Sequence, residues 1–241
     1  MHSIFGHHTI QQFDEELKAL HNQIIEMGEL VLNQLCLSLE SVKYMDLSLA
    51  QGIIDREKVV DEMEVSADKT ICAILVRRCP KGSDLRQVLS ASKIVNCLEQ
   101  IGDKTVKLAN FVVLMHTTDQ VNTHYFSLED IYRLGGVSIE IVQSALEAFE
   151  ELDAEQARQV VQYHLTLDQE FQKALHHLID FLQAEKSNVN NTVSQVLMMK
   201  ALERIGEHAR QIAELLIYQL EGEEPTHHLP DLAEDFPVDG L

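Results

Sequence analysis

The chain of 241 residues carries 39 Asp and Glu against 19 Lys and Arg, a formal charge of −20, with no Trp and 5% aromatic residues. So acidic a surface repels a phosphate backbone, which excludes a general nucleic-acid binder, and it disfavours a basic helix lying on an anionic membrane. Apolar runs such as residues 111–115 fall far short of the roughly 18 residues that a membrane span needs. Residues 1–10 lack the charged start and apolar core of a signal peptide. Cys36, Cys72, Cys79 and Cys97 are widely spaced and form no C-x-x-C pair. They read as buried thiols in a reducing compartment, neither a disulfide framework nor a zinc site.

In chain order the predicted elements are all helical, over residues 10–46, 48–78, 84–116, 127–152, 154–185 and 190–221. The first is marked by an apolar stripe stepping by three or four residues through Phe13, Leu17, Leu20, Ile24, Met27, Val31, Leu35, Leu39 and Val42. Pro80, Lys81, Gly82 and Ser83 make a turn, with Asp84 expected to cap the third helix. A polar linker with Thr117, Thr118, Asp119 and Asn122 precedes the fourth, where Ser127 and Asp130 resemble a capping box. Phe171, Phe181, Met198, Met199 and Tyr218 read as core. Residues 221–241 hold seven acidic residues, three Pro and no Lys or Arg, and read as a solvated tail. His7, His8, His227 and His228 fall in these end segments and are assigned no site.

The chain repeats itself. Gly28, Leu39, Glu40, Asp46, Ala50, Asp61 and Leu75 recur 107 residues later as Gly135, Leu146, Glu147, Asp153, Ala157, Asp168 and Leu182. The offset then becomes 104: Leu98-Glu99-Gln100-Ile101-Gly102-Asp103 returns as Leu202-Glu203-Arg204-Ile205-Gly206-Glu207. Three residues lost in the turn near 187 account for the change. The expected fold is all-α, two tandem three-helix bundles of six long antiparallel helices related by internal duplication. The expected division is 1–116 for the first bundle, 117–126 for a linker, 127–221 for the second bundle and 222–241 for the acidic tail.

Glu99 and Asp103 stand four residues apart on one helical face, and their like charges disfavour the helix unless a cation neutralises them. Gly102 between them costs a helix interior up to ~1 kcal/mol relative to Ala. Gly206 repeats that penalty beside Glu203 and Glu207, so a helix or an ion is expected close to the backbone there. Folding back at residue 81 brings Glu57 and Asp61 to the height of Glu99 and Asp103. Four carboxylates at one level suit Mg, Mn, Ca or ferric iron. The second repeat offers His164, Asp168, Glu203 and Glu207, with His208 adjacent, a mixed set that leans toward iron or zinc. Acidic pairs at this spacing are equally the composition of a solvated face, and both readings stand at this point.

At these residues the chain resembles the PhoU family, regulators associated with bacterial phosphate-specific transport. The resemblance rests on Arg78-Cys79-Pro80 with Asp84-Leu85-Arg86, on the two Leu-Glu-x-Ile-Gly-acidic strings, on Met27-Gly28 and on residues 57–64. It spans about residues 12–222. It implies PhoU-type bundles carrying multinuclear metal clusters (iron, zinc, manganese or magnesium) on Glu57, Asp61, Glu99, Asp103, His164, Asp168, Glu203 and Glu207. It also implies a non-enzymatic negative regulator of the phosphate-starvation response. Such a protein is cytoplasmic and homodimeric, and links the ATPase subunit of a Pst-type phosphate ABC transporter to a phosphate-sensing histidine kinase. It reaches the inner face of the membrane through those partners, without inserting. Departures from the family pattern are Gln100 for Arg, Glu207 for Asp and His164 for an acidic residue, two of them in the second site. A metal-free helical scaffold, or a PhoU-like paralogue with another partner, is the alternative. An enzyme is disfavoured because no P-loop, dinucleotide fingerprint or zinc-protease motif is present and no Glu-x-x-His falls on the helices.

Overall fold

The computed structural model describes residues 11–117, 128–184 and 189–222. They form six helices, α1 (Gln11–Tyr44), α2 (Leu47–Arg78), α3 (Ser83–Thr117), α4 (Leu128–Glu151), α5 (Ala154–Ala184) and α6 (Val189–Glu221), with no strand among the described residues. No end departs by more than two residues from the periodicity reading. Every apolar residue of the predicted α1 stripe is buried. Residues 185–188, where the three-residue difference between the repeats is expected, lie outside the described residues.

The duplication extends to the turns. Met45 and Leu152, 107 residues apart, adopt left-handed φ values of 49° and 55°. An L-residue with a side chain pays about 1–2 kcal/mol for that conformation. Beside them, the Asp46 amide donates to the Ser41 carbonyl at 3.0 Å and the Asp153 amide to the Ala148 carbonyl at 2.9 Å, closing each helix in the same way. Asp46 then caps α2 by accepting from the Leu49 amide, and Asp153 caps α5 by accepting from the Glu155 and Gln156 amides. At α3 the expectation fails. Gly82, at φ 58°, supplies the carbonyl that accepts the first helical bond from Arg86, and Asp84 lies inside the first turn, where its charge favours the helix dipole instead. Ser127 lies outside the described residues, while Asp130 is buried and reaches across to His177 of α5 as well as to Arg133. Arg78 forks onto Glu16 with two 2.8 Å bonds, fixing the end of α2 to the start of α1.

The two repeats share one hydrophobic cluster. Contacts between repeats are made by α1 with α4 and by α3 with α6, whereas α2 packs only on α1 and α3, and α5 only on α4 and α6. Four helices therefore make the centre and α2 and α5 lie outside it. The α1–α4 crossing is reciprocal: a Cβ on Gly28 would lie 2.5 Å from Leu146 Cδ2, and one on Gly135 would lie 2.5 Å from Leu39 Cδ1. Gly28 and Gly135 are repeat equivalents, and so are Leu39 and Leu146. The interface has the self-complementary form of a two-fold dimer inside one chain. Overpacking predicts that Gly28→Ala costs about 1–3 kcal/mol in chemical denaturation. Leu146→Ala in the same chain should restore part of that loss. A double variant whose loss equals the sum of the two singles would rule out the interlock.

Candidate metal centre

On α2, Glu57, Asp61, Glu64 and Asp68 follow one another at four, three and four residues, a single acidic stripe. It lies along the seam with α3, where Glu99 and Asp103 face it. Burial pushes the Glu57 carboxyl up, and the negative charges of Asp103 and Asp61 push it further. The Glu64 carboxyl rises through burial and then Glu99, Asp68, Asp61 and Asp103, and Glu99 rises through burial and then Asp103. Mutual repulsion of this kind brings the two predicted pairs into one field, with Glu64 and Asp68 added. Among the described residues none of Glu57, Asp61, Glu64, Glu99 or Asp103 forms an ion pair. Gln100, the departure from the family pattern, stands between charges: it donates to Glu99 at 2.7 Å and accepts from Lys104 at 2.9 Å.

The two repeated glycines differ. A Cβ on Gly102 would meet Val60 Cγ1 at 3.4 Å, an ordinary contact, so packing does not require that glycine, whereas at the repeat-equivalent place a Cβ on Gly206 would overlap Leu167 Cδ2. Close approach of the neighbouring helix therefore accounts for the glycine in the second repeat, where α5 packs on α6.

The second seam differs in its charge balance. His164 is buried, with Nδ1 3.3 Å from Asp168 and Nε2 3.4 Å from Glu207, but neither nitrogen is aligned for a hydrogen bond. Arg210 enters from one turn along α6. Its guanidinium is buried, forks onto Glu207 at 2.6 and 3.2 Å, and reaches Glu214 with a further nitrogen. Burial by itself would raise the Glu207 carboxyl, yet hydrogen bonds and charge from Arg210 bring it below the ordinary range. Glu203 is held instead by Lys200 at 2.9 Å, with Arg204 at 3.9 Å. His208 is turned away, toward Gln211, which also accepts from the Cys97 thiol on α3. It belongs to the α3–α6 interface, contrary to the expected place beside the second site.

The oxygen-rich α2–α3 seam thus fits a hard cation by its donor chemistry and by a negative charge that only Lys104 and the Gln100 amide offset in part. The α5–α6 seam does not fit equally well, since a guanidinium already neutralises it. Among the described residues no three His, Cys, Asp or Glu side chains converge closely enough to hold a metal as they stand. The cysteines need correction too. Cys36, Cys72 and Cys79 are exposed, and only Cys97 is buried, its thiol pushed up to about 12 by burial and by Glu207. Helical stripes cannot separate a core Cys from one on the polar face when neighbours are of mixed character. Glu64, Asp68 and Arg210 were absent from the expected site, although the α2 stripe and the Glu207–Arg210–Glu214 spacing are both visible in the sequence.

The family model for the PhoU domain matches the chain twice, over residues 24–112 and 131–216. The two matches begin 107 residues apart and end 104 apart, the same two offsets found between the repeats. The chain belongs to the PhoU family. It is 34% identical over 221 residues to the phosphate-specific transport system accessory protein PhoU homolog of Pseudomonas putida, covering 92% of this chain and 85% of that one. The Escherichia coli accessory protein PhoU is 29% identical over 220 residues, covering 91% and 90%. The crystal structure of PhoU from Pseudomonas aeruginosa superposes with a TM-score of 0.81 at 33% identity, covering 88% of this chain and all of that one. A Streptococcus pneumoniae PhoU structure, at 24% identity and a TM-score of 0.80, shares the fold.

For this PhoU-family chain the guanidinium gives a direct test. Removing one partner of a buried ion pair leaves the other charge uncompensated. Arg210→Met should cost about 3–5 kcal/mol at neutral pH. A depressed carboxylate contributes stability above its unfolded pKa and loses it as pH falls through its folded value. The difference between variant and parent should therefore shrink toward acid pH. Urea midpoints at pH 7 and pH 4 that differ by the same amount would contradict the role given to Arg210.

Proposed function

We propose that this PhoU-family chain is a non-enzymatic accessory regulator of a phosphate-specific transport system, which represses the phosphate-starvation response when phosphate is plentiful. The observation that carries the reading is the reach of the match. Both repeats align, and the relatives named for phosphate-specific transport are covered over 85–90% of their own length. In this proposal the chain acts in the cytoplasm as a homodimer, between the transporter ATPase and a phosphate-sensing histidine kinase. No helix among the described residues is long and apolar enough to cross a membrane, which suits a protein brought to its transporter by protein contacts. Deleting the gene should derepress a phosphate-starvation reporter in high phosphate. A reporter left silent by the deletion would favour a paralogue with another partner.

We also propose that Glu57, Asp61, Glu99 and Asp103, with Glu64, hold a divalent or ferric ion, which would supply the positive charge that the α2–α3 seam lacks. The residues' own contribution is to gather oxygen donors on two helices at one height. The second predicted set, His164, Asp168, Glu203 and Glu207, carries Arg210 and is not proposed to need a metal. The scaffold reading is favoured by one observation, that among the described residues no three ligating side chains converge. The two differ in their pH dependence. Glu57, Glu64 and Glu99 hold protons more firmly in the folded chain, so their repulsion is relieved at acid pH and grows as pH rises through the carboxylate range. Manganese should raise the Tm at pH 7 by several degrees and have little effect near pH 4. Asp103→Asn should raise the Tm of metal-free protein and diminish the manganese response. A parent protein with no metal by elemental analysis and no manganese response would establish the scaffold.

A further inference from the structure

One groove runs against the charge of the rest of the molecule. Where the C-terminal half of α3 meets the N-terminal half of α6, a cavity of about 520 Å³ is edged by Lys104, Lys107, Lys200 and Arg204. The two helices run antiparallel there. Cys97 bonds Gln211, and seven residues on along α3 and seven back along α6, Lys104 feels the charge of Arg204. The groove is therefore polarised along its length. Lys104, Lys107 and Arg204 stand at one end. At the other, Phe111 and Met198 are buried as a floor, and Leu114, 47% exposed, and Leu197, 64% exposed, form the lips. Ten residues of α3 lead from Lys104 to Leu114, about 15 Å at 1.5 Å per residue.

The cations are not all engaged. Lys200 is held, its ammonium 2.9 Å from Glu203 and 5.3 Å from the centre of the Phe171 ring. Arg204 reaches Glu203 only at 3.9 Å, and Lys107 is exposed with no ion pair among the described residues. The Lys104 ammonium is kept below its ordinary range by burial first and then by Lys107, with Arg204 acting in the same direction and Asp103 and Glu99 opposing. Like charges gathered in this way are costly unless an anion joins them. They are confined to one end of the α3–α6 interface. The repeat-equivalents of Lys104, Lys107 and Arg204 are His208, Gln211 and Gln100, and Gln211 is bonded to Cys97 and His208. A cationic end and an apolar end in one groove complement a ligand with an anionic head and an apolar tail, and the volume is that of a small-molecule site. A long polyanion or an anionic bilayer is disfavoured, since the −20 chain around the groove would repel either.

We propose that the α3–α6 groove binds a small amphiphilic anion, an alkyl phosphate or carboxylate taken up as a single molecule, with its head on Lys104, Lys107 and Arg204 and its tail along Phe111, Leu114 and Leu197. The site does not depend on the role in phosphate transport or on a metal at the α2–α3 seam.

Titration calorimetry of the full-length protein with dodecyl phosphate, kept below its micelle concentration, tests this. The expected result is one saturable site per chain with a negative heat-capacity change, the mark of buried apolar surface. Inorganic phosphate, which has the head without the tail, should not displace the ester. Lys107→Glu with Arg204→Glu, both at exposed positions, should weaken binding by roughly tenfold or more, because charged hydrogen bonds are lost. Leu197→Asn should weaken it several-fold from the other end of the groove. Both variants should keep the parent's thermal melt. The bound ester should also protect Lys107 from acetylation while leaving Lys69, exposed on α2, unprotected. Uptake at many weak sites, or at one site that neither variant alters, overturns the proposal. So does binding to phosphatidic acid vesicles without binding of the monomeric ester, which would make the ligand a membrane surface.

Discussion

The architecture depends on how closely α1 and α4 can approach. Gly28 and Gly135 each receive a leucine from the opposite repeat, and any side chain at those positions would meet it. That contact sets the two repeats back to back, and α3 and α6 then complete a centre of four helices. With the centre filled, α2 and α5 are left outside, each packed on two helices of its own repeat. Both seams that carry acidic residues are formed by these outer helices. The site chemistry is therefore decided at the edges of a core whose packing leaves little freedom for adjustment.

Charge is distributed unevenly over this frame. The α2–α3 seam concentrates carboxylates whose partners are one another, the α5–α6 seam balances its carboxylates with Arg210, and the α3–α6 groove gathers cations. Both α3 and α6 take part in two of these three regions, since successive turns of one helix face different neighbours. Lys104 and Asp103 are adjacent in sequence, and the Lys104 amine at the α3–α6 cavity also feels the charges of Asp103 and Glu99 at the seam. Gln100 links the two by bonding Glu99 and Lys104 together.

Much of the fold was legible because helices of more than 20 residues leave long apolar stripes, and because the duplication supplied each stripe twice. Asp46 and Asp153 recur in the sequence and cap equivalent helices. Gly28 and Gly135 recur and serve the same crossing. What the periodicity could not resolve was direction around a helix at single positions. Cys36 and Cys72 have apolar neighbours and still face solvent, and His208 follows the second acidic string but points to the other repeat. Asp84 was misplaced because Gly82, through its left-handed backbone, had already taken over the start of α3. The site was legible as matched heights of acidic pairs. Its asymmetry was not, because Arg210 stands at a position matched by Val106 in the first repeat and lies outside the shared string.

Arg210 has a further consequence for a molecule made of two similar halves. A cation that belongs to the polypeptide cannot be diluted, chelated or exchanged, so its half of the molecule stays in one electrostatic state whatever the ionic composition of the surroundings. The other half has Val106 at the equivalent position, so its seam lacks a cation fixed in this way. Divergence between the repeats, with His164 for Glu57 and Arg210 for Val106 among the changes, has thus given two seams of different charge balance in contact through a shared core. A partner that touches both could read the difference between them rather than an absolute state.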